Sequence, residues 1–83
     1  MNQEPTTRVY VVQRLDWVYT DNFYDIENES PIKAFADKRR ALNHAKRLNG
    51  EAIAECEARG YFPVTREGTV DQFYEVVEVE LGP

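Results

Sequence analysis

The sequence predicts an α+β domain of two layers, a small antiparallel sheet of three or four strands with one long helix packed on one face. Three observations carry that prediction. Residues 9–19 and 73–81 are rich in Val, Tyr and Trp or Phe and alternate at period two, the pattern of strands. Residues 38–58 repeat apolar side chains at helical spacing. The chain has 83 residues, enough for one domain with a modest core. The element order is β-β-(β)-α-β, with no internal repeat or low-complexity segment.

Taken in order, residues 1–7 are polar, contain Pro5 and are expected as a flexible tail, leaving 8–83 as the single domain. In the strand over 9–19, one face carries Val9, Val11, Gln13, Leu15, Trp17 and Tyr19. The other carries Tyr10, Val12, Arg14, Asp16 and Val18. Thr20-Asp21-Asn22 has turn chemistry, so residues 23–27 return as the second arm of a hairpin. Residues 28–31 break the pattern, and 32–35 form a further short strand.

Asp37 is placed to cap the helix with its carboxylate, and Gly60 to stop it. At 100° per residue Ala41, Ala45, Leu48, Ala52 and Cys56 fall on one line, flanked by Leu42 and Ile53. The stripe keeps its phase through Gly50, which favours one helix over a break at Asn49-Gly50. Residues 60–72 are expected as a loop. In the last strand Val77, Val79 and Leu81 point inward, Glu78 and Glu80 outward.

VYVV at 9–12, LDWVYTDNFYDI at 15–26, PIKAF at 31–35 and FYEVVEVEL at 73–81 resemble a loose group of small uncharacterised bacterial proteins. Those proteins share an opening strand, a helix capped by Asp or Ser, and a closing strand like FYEVVEVEL. The matching motifs are mostly core pattern. The resemblance implies the fold alone and carries over no activity, cofactor or binding residue.

Composition argues against most chemistry. The single histidine, His44, and single cysteine, Cys56, lie twelve residues apart. On a continuous helix that is about 18 Å, too far for a nucleophile and its base. Ser30, the single serine, precedes a proline outside any nucleophile-elbow context. One His and one Cys cannot supply a structural zinc site. The run Asp21, Asp25, Glu27, Glu29 lacks the glycine and terminal glutamate of a calcium loop. No glycine-rich phosphate loop is present. No enzyme activity, metal or cofactor is therefore expected. No segment approaches a membrane span or resembles an export signal, and Asn28-Glu29-Ser30 is an incidental sequon without one. The lone cysteine fits a reducing compartment, so the expected location is cytoplasmic.

The net charge is -5, yet residues 38–47 hold five of the ten basic residues and no acid. On the wheel Arg40 and Arg47 line one side of the exposed helix face and Arg39 and Lys46 the other, with Asn43 between. Those five residues form a candidate anion-contacting face. The other five basic residues face fifteen acidic ones, a field that opposes nucleic-acid binding. The blander expectation is a solvated face balanced by Asp37 and by Glu75, Glu78 or Glu80 of the last strand, which makes the molecule dipolar.

The more informative feature is a sheet apolar on both faces, of which one helix can cover only one. The expected bare face exposes Tyr10, Val12, Tyr74 and Val76 as a candidate interface, unless the tail or the 60–72 loop folds over it. Function is accordingly expected to be that of a non-enzymatic interaction module that binds itself, most simply as a homodimer, or another protein through its sheet. Two alternatives stand beside it. One is a small-ligand binder using the aromatic and acidic residues 16–25; the other is an acidic inhibitor or immunity-type protein for a basic target.

Overall fold

The computed structural model describes residues 7–82 and has the expected α+β architecture. The elements are β1 (Thr7–Thr20), β2 (Phe23–Phe35), α1 (Lys38–Arg59) and β3 (Tyr74–Leu81). The three strands form one antiparallel sheet in the order β2-β1-β3, with β1 in the centre. Of the segment expected as a tail, residues 1–6 lie outside the described residues. Thr7 already belongs to β1, opposite Leu81.

The hairpin between β1 and β2 turns through Asp21 and Asn22, both with positive φ, 49° and 72°. Asp and Asn tolerate that left-handed geometry better than other side chains, and two such residues match the twist of the flanking strands. The expected break at 28–31 does not occur. β2 runs on as 13 residues and absorbs two register shifts against β1, which leave Glu27 and Ile32 without Cα partners. Bulges of this kind let a strand continue through an unfavourable stretch. Pro31 fits because β2 is an edge strand, where a missing N–H need not break a ladder.

The helix is continuous through Asn49-Gly50. At its start the Asp37 carboxylate accepts from the Arg39 N–H at 2.8 Å. At its end Gly60, with φ 66°, gives its N–H to the Cys56 and Glu57 carbonyls. Arg47–Glu51 and Arg59–Glu55 pair one turn apart at 3.1 and 2.7 Å. Both pairs are exposed and add only tenths of a kcal/mol each.

The helix settles on the face of the sheet opposite to the one expected. Val12 is fully buried against Ala41 and Ala45, with Tyr10, Phe35, Leu48, Tyr74 and Val76 packed around them. Tyr10, Val12, Tyr74 and Val76, the expected bare interface, are therefore core. The two alanines present no bulk, so the helix backbone closes onto Val12 while the large tyrosine and phenylalanine rings fill the margins. Hydropathy cannot choose between two apolar faces. The choice is made by the connection: β2 and β3 run parallel on either side of β1, and strand twist constrains the hand of a crossover between parallel strands.

The loop after α1 also does structural work. Val64 and Thr69 form a bridge, and the Val70 N–H reaches the Pro63 carbonyl at 2.8 Å. Val70, 3% exposed, shares a cleft with Leu15 and Trp17, and the Trp17 indole N–H donates to the Gln72 carbonyl at 3.1 Å. The loop thus covers the Leu15–Trp17 half of the sheet's second face. The molecule is long, 58 × 26 × 18 Å, and its radius of gyration of 16.0 Å exceeds the ~12 Å of a compact chain this size. No helix among the described residues is long and apolar enough to cross a membrane.

Candidate functional site

With α1 on one side, the other side of the sheet is paved by paired valines. Val9 faces Val79 and Val11 faces Val77 across β1 and β3, and because side chains alternate, all four point away from the helix. They are half-buried, and Leu81 beside them is 47% exposed. Thr7, Gln13 and Glu75 border the patch. Among the described residues no helix or strand lies over it.

The second opening follows the free edge of β3, which pairs with β1 on one side only. Leu42, Ala45, Lys46, Asn49, Gly50 and Ile53 of α1 look across a groove of about 480 Å³ toward Gln72, Tyr74 and Val76. Leu42 is 48% exposed there, and Lys46 is the one charged residue among the groove's lining residues. Asn49 fixes the geometry of this corner. Its side-chain oxygen accepts from the N–H groups of Phe73 and Tyr74 at 2.7 and 2.8 Å, and its amide donates to the Tyr74 carbonyl at 3.0 Å. One helix side chain thus acts as the pairing partner for the first turn of β3. Sequence reasoning missed this role. The available signal was an asparagine, poor in helix interiors, at a position where the helix nonetheless continues.

The candidate anion-contacting face is exposed along its whole length: Arg39, Arg40, Asn43, Lys46 and Arg47. The structure divides it. Arg47 is engaged with Glu51 and lies 3.5 Å from His44 Nδ1. Lys46 lines the groove beside β3. The balancing carboxylates expected from β3 are not brought to the first helical turn; Glu78 pairs instead with Arg8 at 3.8 Å. Among the described residues Lys38, Arg39 and Arg40 make no ion pair.

The aromatic and acidic stretch 16–25 is likewise pulled apart by strand alternation. The Asp16 carboxylate accepts from Arg14 and Ser30, and Asp25 accepts from Thr20. Tyr19 packs edge-on against Tyr24 with ring centroids 5.2 Å apart, and the Tyr24 and Tyr61 hydroxyls are hydrogen-bonded. Trp17 lies elsewhere, in a cleft of about 340 Å³ with Leu15, Ile26 and the loop acids Glu67 and Asp71. The His44 ring lies tilted against Phe35 with centroids 5.3 Å apart, whereas Cys56 lines a cleft with Tyr61 and Phe73, so the two are not brought together. Among the described residues no three His, Cys, Asp or Glu side chains form a group able to hold a metal ion.

Comparison with protein-family models, with curated proteins and with solved structures finds no match to this chain.

Proposed function

We propose that this chain is a non-enzymatic protein–protein interaction module that works by self-association through its sheet. The observation that supports it is how little apolar surface one copy hides. Among the described residues five apolar side chains are buried, Val12, Leu15, Ala41, Ala45 and Val70, and two of those are alanines. Among the same described residues eight large apolar side chains stay exposed, including Leu42 and Leu81 beside the sheet. A core that small supplies little hydrophobic stabilisation, and further burial has to come from a second surface. A second copy is the simplest source, because a two-fold axis presents the same apolar patch to itself.

Sedimentation velocity of the full chain from micromolar to millimolar concentration tests the proposal. A mass rising to that of a dimer is the expected result, and a monomer throughout refutes it. Co-purification of a different, strongly basic protein would place the chain with the acidic inhibitors instead. A small-ligand role is favoured by one observation, the cleft at half-buried Trp17 with Glu67, Asp71 and Glu75 on its wall. Aromatic faces beside carboxylates attract cations. Quenching of Trp17 fluorescence by polyamines would support that role, and a flat titration would remove it.

A further inference from the structure

We infer that two copies join at the free edge of β3, making one six-stranded sheet with the two α1 helices side by side above the seam. This rests on the proposed self-association and names its surface.

The first support is geometric. α1 packs chiefly over β1 and β3, with a smaller contact to β2. Neighbouring strands lie about 4.8 Å apart. If β3 pairs with β3 of a second copy, each helix stands about 5 Å from the two-fold axis. The helices are then about 10 Å apart, the ordinary separation of packed helices. The groove lined by Leu42, Ala45, Gly50 and Ile53 is the space the second helix would occupy.

The second support is Gly50. Glycine is the least favourable helix-interior residue after proline. A Cβ built at Gly50 meets no atom within 4 Å, so nothing in a single copy calls for the absent side chain. Close approach of a second helix backbone does call for it.

Charge is the third support. β3 carries Glu75, Glu78 and Glu80 and no basic residue, while Lys46 of α1 lines the groove at that edge. Antiparallel pairing about Val77 sets no glutamate directly opposite another, leaves the Tyr74 N–H and carbonyl with Asn49, and joins the copies through the backbone groups of Val76 and Glu78. In that register Glu78 falls across from Val76 of the second copy, on the side that Lys46 faces. Like charges directly opposite would have opposed pairing.

The area is modest. In that register residues 74–80 of the two strands overlap, a seam about 24 Å long. With a depth near the 18 Å thickness of the molecule, the footprint is about 430 Å² per copy, the size of a weak, transient interface. The dimer is therefore expected to dissociate in the micromolar range or above.

The test uses the full chain and three substitutions, each at an exposed or half-exposed position. Gly50→Gln and Leu42→Glu should raise the dimer dissociation constant at least about tenfold. Circular dichroism should show both still folded, Gly50→Gln with no loss of helix. Val79→Lys, on the helix-free face, should leave the dissociation constant within about threefold. Amide exchange at β3 should slow as concentration rises. A dimer that ignores Gly50→Gln and Leu42→Glu but is lost with Val79→Lys would overturn edge pairing while leaving self-association standing. A chain that is monomeric at every concentration would overturn both. If Gly50→Gln fails to fold, Leu42→Glu with the exchange measurement decides alone.

Discussion

Asn49→Ala removes the side chain whose hydrogen bonds tie the middle of α1 to the start of β3. Three backbone groups lose their partner: the Phe73 N–H, the Tyr74 N–H and the Tyr74 carbonyl. A hydrogen bond of this kind contributes about 1 kcal/mol net, so the loss is about 3 kcal/mol. Alanine is the better helix former by about 0.6 kcal/mol, which offsets part of that. The net expectation is a destabilisation of about 2–2.5 kcal/mol. A domain of this length is stable by only about 4–12 kcal/mol in all, so the effect is large. In urea, with a slope near 1 kcal/mol per molar for so small a chain, the midpoint should fall by about 2 M. Asn49→Asp should fall between wild type and alanine. Its carboxylate keeps both acceptor roles but has no N–H for the Tyr74 carbonyl. If Asn49→Ala is as stable as wild type, or more so as helix propensity alone predicts, the strand-start role assigned to this side chain is wrong.

Two other substitutions probe the helix at its end and its underside. Gly60→Ala keeps open space around the new methyl but forces an L-residue to φ 66°; thermal unfolding should show a loss of about 1 kcal/mol, or ~4–8 °C. Ala45→Leu drives a larger side chain into the contact with Val12 and Ala41; denaturant melts should show a loss of about 1–3 kcal/mol, and a gain would mean that the helix does not close on the sheet there.

Most of α1 was legible from local chemistry. Asp37 and Gly60 act as cap and stop because a carboxylate satisfies free N–H groups and glycine accepts the left-handed backbone. The Ala41, Ala45, Leu48 stripe does face the sheet. The sequence predicts two pieces for β2 because Pro31 and its neighbours break a strand locally, whereas the ladder with β1 carries the chain through by bulging. The candidate interface failed for a different reason. The alternation placed Tyr10, Val12, Tyr74 and Val76 correctly on one face and left open which face the helix would take. Asn49 and Gly50 are each weak in a helix by propensity; Asn49 is held there by its hydrogen bonds to β3, and Gly50 lies on the groove beside that strand.

The order of the elements, their periods and the caps follow from the sequence alone, because each depends on side chains within a turn or two of one another. The face covered by α1, the docking of Val70 over Leu15 and the hold of Asn49 on β3 come only with the tertiary structure. Each depends on strand register and on the hand of the β2–α1–β3 crossover, which bring together residues far apart in the chain and leave no trace in local periodicity.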